Sequence, residues 1–301
     1  MDPNDVPTGS IVVGIDGSPW SDQALDWATE QAAEEHRALV LVHAVPPLGA
    51  QSYGLYPGTA FDVGQVERDA RAGARSLLEG AEARARVLSP DVVCHTVIAS
   101  SDPRSALIDL GEQAAMVVVG SRGRGPVASL LLGSVSVSVS SHATCPVVVC
   151  RETPSLRPGG GVLVGVDGSA DSATAIEFAY RLASFRALPL TVLHCYWDAA
   201  SVVTAGVVPP SVDLSITQAL VSESVAGMAE KFPDVTVEVR LARGSADQHL
   251  IAASPDYDLL VVGHRRMGRL RELLYDAVAP AVLEHARGNV VVVPSRWPDE
   301  R

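Results

Sequence analysis

The sequence predicts an α/β chain built as two tandem copies of one domain, each a mostly parallel sheet with helices on both faces. Three observations lead there. The landmarks of the first half recur in the same order in the second: Ile11-Val12-Val13-Gly14-Ile15-Asp16-Gly17-Ser18 returns as Val162-Leu163-Val164-Gly165-Val166-Asp167-Gly168-Ser169, and Val117-Val118-Val119-Gly120 as Leu260-Val261-Val262-Gly263. The apolar residues are gathered into short Val/Ile/Leu runs, as in strands buried on both faces of a parallel sheet. Those runs alternate with helical stretches, the pattern of βαβ units. The 301 residues then divide into domains over 9–152 and 161–295, joined by a Pro/Gly-rich linker at 153–160.

Element by element, Ile11–Val13 forms the opening strand. Ser18 caps a helix whose first residue is Pro19. Leu41-Val42-His43-Ala44 is the second strand, matched by Val192-Leu193-His194-Cys195. A long loop over 46–63 carries Tyr53-Gly54-Leu55-Tyr56-Pro57-Gly58, which suits a lid over a ligand or an interaction site. A helix and a strand follow, and Asp102-Pro103 then repeats the cap-and-proline device before Arg104–Ile108. Met116–Val119 is the fourth strand, Gly120–Pro126 a glycine loop, and Val147–Val149 the last strand. Between them, Ser134–Ser140 alternates serine and valine with period two, which alone favours a strand. Its counterpart Ala277–His285 spaces the larger apolar residues at helical intervals, and two copies of one fold must agree, so a helix is expected in both.

Composition excludes several function classes. With 23 basic and 35 acidic residues the formal charge is −12, and both halves are acidic, which argues against a nucleic-acid or anionic-membrane partner held by charge. Apolar residues make up 47% of the chain, yet no run approaches the ~20 residues that cross a bilayer. The N-terminus has no apolar stretch behind a basic start, so a cytoplasmic protein is expected. Cys94, Cys145, Cys150 and Cys195 show no metal-ligand spacing and are expected to be unlinked thiols; a redox pair at Cys145 and Cys150 is the alternative. Lys231 is the one lysine, at a helix end in Glu230-Lys231-Phe232-Pro233.

Ligands of open parallel sheets sit beyond the carboxyl ends of the strands, where strand order reverses. Asp16 follows the first strand there, and the fourth strand leads into Gly120-Ser121-Arg122-Gly123, nine residues, then Gly133-Ser134 at a helix start. Glycines let the backbone approach an anion, and the free N–H groups of a helix start bind phosphate oxygens. A nucleotide is the natural occupant, with Asp16 accepting hydrogen bonds from ribose or base. A P-loop needs GK[ST], which the scarcity of lysine rules out. Gly123-Arg124-Gly125-Pro126-Val127-Ala128 fits the dinucleotide pattern GxGxxG/A, with Glu152 as its ribose acid, but follows the fourth strand rather than the first.

Asp16 after the opening strand, with the G-2x-G-9x-G-S pattern from Gly120 to Ser134, resembles the universal stress protein family in its tandem form, over essentially the whole chain. The resemblance implies a Rossmann-like fold of the adenine nucleotide alpha hydrolase-like kind, with five parallel strands ordered 3-2-1-4-5, and ATP as ligand. Mg²⁺ is a candidate companion that the sequence does not place, since the phosphates supply most of its ligands. Residue by residue, Asp16 and the backbone of Ala44 would meet the adenosine. Gly120, Ser121, Arg122, Gly123, Gly133, Ser134 and Val135 would line the ribose and phosphates, and Gly14 would allow close approach beside Asp16. The family's last strand commonly pairs across a dimer interface, which implies an intramolecular pseudo-dimer through Val147–Val149 and Val290–Val293, with a homodimer a further option. The function implied is a nucleotide-dependent sensor or regulator of the stress response; the alternatives are a slow ATPase or nucleotidyl-transfer enzyme, or a scaffold without nucleotide.

The second copy keeps Asp167 and Gly263 but carries Arg266, Asp276 and Ala277 where the first has Gly123, Gly133 and Ser134. An aspartate facing phosphate oxygens is repulsive by about 1 kcal/mol or more. A defective or altered second site is the reading taken; the arginines at 265, 266, 269 and 271 either compensate or fill the site. His43 and His194 read as structural, His142 and His285 as cations near exposed helix-end carbonyls, and Trp20 and Trp27 as packing residues or part of a partner surface. No catalytic motif of the GxSxG or HExxH type occurs. Gly120→Glu is expected to abolish binding with the fold intact.

Overall fold

The computed structural model describes residues 6–47, 62–123, 132–151, 160–196, 215–264 and 278–297. The loop residues 48–61, the stretch 124–131, the linker residues 152–159, residues 197–214 and the arginine-bearing stretch 265–277 lie outside them, as do Arg266, Asp276 and Ala277. The chain forms two compact units, Met1–Cys150 and Arg151–Pro298.

In the first unit the order is β1 (Ile11–Gly14), α1 (Pro19–Glu34), β2 (Leu39–Ala44), α2 (Val63–Leu88), β3 (Cys94–Ala99), α3 (Pro103–Gly111), β4 (Met116–Gly120), α4 (Ser134–His142) and β5 (Val147–Cys150). The strands lie parallel in the order β3-β2-β1-β4-β5. Val12 stands between Val40 and Val117 in register, and Val118 beside Val148. Nearly every residue of β1, β4 and β5 is buried, which is why these strands read as continuous aliphatic runs rather than alternating ones. Chain order runs outward from β1 in both directions, so the switch point lies between β1 and β4.

Local chemistry sets the helix starts. The Ser18 hydroxyl accepts from the Ser21 N–H at 3.2 Å, Ser21 Oγ donates to the Ser18 carbonyl and accepts from the Gly17 N–H, and Pro19 opens the first turn. Gly17 is left-handed at φ +77°, as is its counterpart Gly168 at +75°, so the turn after each aspartate calls for glycine. Asp102 caps α3 through the Arg104 N–H, and the Arg104 guanidinium beside it holds its carboxyl down at about 2. Helix α2 buries Ala74, Leu78, Ala81 and Ala85, one narrow stripe at spacings of four and three, and is clipped to α1 by the paired Arg84–Asp26 contacts at 2.5 and 2.6 Å. Ser18→Ala is expected to cost about 0.5–2 kcal/mol, read as a lower urea midpoint; an unchanged midpoint would show that Pro19 and Ser21 hold the turn without it.

The second unit repeats the plan: β6 (Val162–Val166), a 3₁₀ turn (Ala170–Ser172), α5 (Ala173–Phe185), β7 (Leu190–Tyr196), α6 (Ser215–Ser224), α7 (Met228–Lys231), β8 (Val237–Arg243), α8 (Ala246–Ala253), β9 (Leu259–His264), α9 (Val278–His285) and β10 (Asn289–Pro294). Its parallel order, β8-β7-β6-β9-β10, is the same permutation. Phe178 and Tyr180 fill its core, with Trp297 edge-on to Phe178 at 5.5 Å and the Arg181 guanidinium over both rings. The serine–valine stretch is helical in α4, and α9 is its counterpart. Within this helix Ser136 is buried with its hydroxyl on the Gly120 carbonyl, and in the last turn the Ser141 hydroxyl and His142 Nδ1 contact carbonyls four residues back.

Candidate functional site

In the first unit Asp16 stands at the carboxyl end of β1, at the switch point. Its Oδ1 accepts from the Ser18 N–H at 2.9 Å, which fixes the carboxylate at the head of α1. The glycine loop leaves β4 beside it. The Ser121 N–H donates to the Cys150 carbonyl and the Ser121 carbonyl accepts from the Gly133 N–H, both at 2.8 Å, so the loop's two ends are drawn together at the carboxyl ends of β4 and β5. Gly123 is thereby seated over Asp16: a Cβ on Gly123 would lie 2.7 Å from Asp16 Oδ2. Gly133 is the N-cap of α4 and no side chain caps this helix, so its first turn, with Ser134 exposed and Val135 half-buried, presents N–H groups beside the loop. The Arg122 guanidinium lies 5.7 Å from the centre of the Trp20 ring, at the head of α1.

Asp16, Ser121, Arg122, Gly123, Gly133, Ser134 and Val135 therefore gather at one sheet end, with Ala44 at the end of the neighbouring β2. Two glycines of the motif have packing reasons of their own. The space of a Gly14 Cβ is filled by Leu107 of α3 at 3.2 Å, and that of a Gly120 Cβ by the Trp20 backbone carbonyl group at 2.6 Å. Gly120→Glu is accordingly expected to displace the head of α1 as well as to affect binding, because its Cβ would meet the Trp20 backbone at 2.6 Å.

Sequence reasoning passed over Ser136, whose hydroxyl donates to the Gly120 carbonyl at 2.7 Å and ties the first turn of α4 to the end of β4. Its signal was its place in the first turn of the helix that follows Gly133. His43 does structural work: its Nδ1 lies 2.6 Å from the Ile15 carbonyl, next to Asp16, and His194 makes the same contact with Val166 at 3.0 Å, next to Asp167. Each ring secures the strand-end backbone that carries the aspartate. No disulfide joins the cysteines; Cys145 and Cys150 are buried, while burial pushes up the thiols of Cys94 and Cys195, with Glu82 and Asp247 adding to it. Such thiols are poor nucleophiles.

In the second unit Asp167 and Gly263 stand at the matching strand ends. Asp167 Oδ1 accepts from the Ser169 N–H at 2.9 Å, from the Ser169 hydroxyl at 2.6 Å and from the Ser172 hydroxyl. A pocket of about 190 Å³ opens between Asp167, Cys195, Leu250, Gly263 and Val278. Among the described residues no helix is long and apolar enough to cross a membrane, and no group of three or more His, Cys, Asp or Glu is placed to hold a metal ion.

The fold and site define a tandem α/β protein of two doubly wound domains, each with an aspartate and a glycine at the switch-point crevice. The model of the universal stress protein family matches residues 8–151 and again 161–294, and the chain belongs to that family. It is 34% identical over 287 residues to the universal stress protein Rv2623 of Mycobacterium tuberculosis, covering 94% of this chain and 95% of that one. To Rv2005c of the same organism it is 35% identical over 298 residues, covering 94% and 96%. Among solved structures, a universal stress protein from Archaeoglobus fulgidus superposes with a TM-score of 0.71 at 15% identity, over 97% of this chain and all of that one, a likeness of fold.

Proposed function

We propose that this chain is an ATP-binding stress-response regulator that holds the nucleotide mainly in its first domain. Adenosine lies against Asp16 and the Ala44 backbone, and the phosphates lie against Arg122, Gly123 and the first turn of α4, where Gly133, Ser134 and Val135 offer backbone donors. The bound nucleotide stabilises one conformation or partner surface. This reading rests on one contact: Gly123 sits over the Asp16 carboxylate without a side chain between them, so a sugar-binding acid and an anion-binding loop share one crevice. The loop and helix end fit a phosphate chain through backbone N–H groups, with Arg122 adding charge from its place on Trp20.

Calorimetric titration of the full chain with ATP is expected to give one site per chain. Two sites of similar affinity would sink the restriction to the first domain, and the absence of any heat or protection from unfolding would sink the reading altogether. Nucleotide released from the denatured purified protein separates the chemistry: ATP supports a regulator, and ADP in matching amount points to turnover.

A further inference from the structure

The outer edge of the first unit's sheet is built differently from that of the second. β3 and β8 each end their parallel order, and among the described residues no strand pairs with the outer side of either. Cys94 stands in register beside Leu39 and Val237 beside Leu190, so Glu238 and Arg240 hold the places that His95 and Val97 hold in β3. Natural sheets guard such edges with charge, proline, bulges or a covering element, because the outward backbone groups recruit other strands. β8 is guarded. Glu238, Val239 and Arg240 are exposed, the two charged side chains are joined by a pair of 2.8 Å contacts, and Arg243 closes the strand. β3, by contrast, runs Cys94-His95-Thr96-Val97-Ile98-Ala99, with no carboxylate, lysine, arginine, proline or glycine.

The outward side of β3 follows from its ladder. The Leu39 N–H donates to the Val93 carbonyl at 2.9 Å and the Val45 N–H to the Ala99 carbonyl at 2.8 Å, so the odd-numbered residues bond β2. Alternate residues turn the other way, which points the backbone N–H and C=O of Cys94 and Ile98 outward. The turn that leads into this strand is apolar and uncovered: Val87 is 83% exposed, Leu88 46% and Val93 59%. Among the described residues these are three of the six large apolar side chains that are exposed, so they form a group rather than a scatter.

We propose that β3 is the edge through which two copies of this chain pair, antiparallel about a two-fold axis at Thr96. In that register Cys94 lies opposite Ile98 of the partner subunit and Thr96 lies opposite its own equivalent, so outward N–H groups meet outward carbonyls on both sides of the axis. Val93 comes beside Ala99 of the partner subunit, which brings cover to the apolar turn. Charge selects a second copy as the occupant. Each molecule carries −12, so two copies repel over most of their surface and must meet where neither presents a charge. An uncharged strand that matches its own reverse is such a place, and threonines facing each other at the axis are a favourable cross-strand pair. The edge lies at the opposite end of the first unit's strand order from β5, so this pairing is separate from one through Val147–Val149. It does not rest on the nucleotide reading.

The test follows the full chain by sedimentation velocity and by amide hydrogen exchange over a dilution series. A species of two chains is expected at high concentration and should dissociate on dilution, with the amides of Cys94 and Ile98 losing protection as it does. β8 is expected to exchange alike at every concentration. A chain that stays single throughout leaves the edge to a strand of another protein and overturns the proposal, as does a dimer in which exchange in β3 ignores concentration. Thr96→Lys and Thr96→Glu each set like charges face to face at the axis and are expected to raise the dimer Kd about a hundredfold or more. An equimolar mixture of the two variants is expected to dimerise again, lysine against glutamate. A charged variant that dimerises alone as the parent does, or a mixture of folded variants that stays monomeric, also overturns it. The exchange measurement uses the unsubstituted chain, so it decides even where a variant fails to fold.

Discussion

Gly120→Ala is expected to destabilise the first domain by about 1–3 kcal/mol, the usual cost of forcing a methyl into packed surroundings. The new Cβ would lie 2.6 Å from both the carbonyl carbon and oxygen of Trp20 and 2.8 Å from its Cβ. A flexible side chain could turn aside, but a backbone carbonyl moves only if the head of α1 moves with it. That head is fixed by the Ser18 cap, by the Ser18 N–H on Asp16 and by Pro19, so relief at Gly120 is transmitted to Asp16. The measurement is hydrogen exchange across β1 and β4 in urea, where protection should be lost at lower denaturant than in the parent chain. Gly263→Ala in the second domain is the internal control: with 3.7 Å to Ala175 Cβ, it should change stability by no more than about 0.5 kcal/mol. Equal behaviour of the two variants would show that Trp20 yields easily and that Gly120 is there for the ligand alone.

The contrast between these two glycines marks what the sequence could and could not tell. Both follow a buried aliphatic strand and align without a gap, and so look equivalent. They differ in helix entry: the atoms crowding Gly120 are the backbone carbonyl and Cβ at Trp20, which any side chain there would carry, and α1 begins directly on Pro19 while α5 is entered through a 3₁₀ turn. A difference in helix entry of that size is a property of packing, which a string of residues does not state. The repeat and the buried parallel strands, by contrast, were legible because doubly covered strands must be aliphatic on both faces. The helix at Ser134–Ser140 was legible only through its partner copy: its own serines mask the period, and Ser136 acts on the Gly120 carbonyl across sixteen residues of chain. His43 was rightly read as structural, although its partner, the carbonyl of Ile15, is a contact that no motif announces.

Asp16→Asn is expected to weaken ATP binding about ten- to hundredfold, since hydrogen bonds to a charged group are worth about 1.5–3 kcal/mol and each 1.4 kcal/mol is tenfold. The amide oxygen can still accept from the Ser18 N–H, as Asp16 Oδ1 does at 2.9 Å, so the turn into α1 should survive and urea midpoints should stay close to the parent. What is lost is the carboxylate charge beside Gly123, whose Cβ position lies 2.7 Å from Oδ2. Because the group is close to the loop, removing a negative charge also lowers repulsion toward the phosphates, which acts in the opposite direction. The sign of the net change therefore decides which part of the nucleotide Asp16 serves. A fall in affinity shared by ATP and adenosine assigns it to the sugar or base; a rise for ATP alone assigns it to the phosphate end and contradicts the placement made here. Asp167→Asn supplies the matching measurement in the second domain, where the aspartate is already engaged by Ser169 and Ser172. It should leave ATP affinity unchanged, and an equal loss from either variant would mean that both crevices bind ATP.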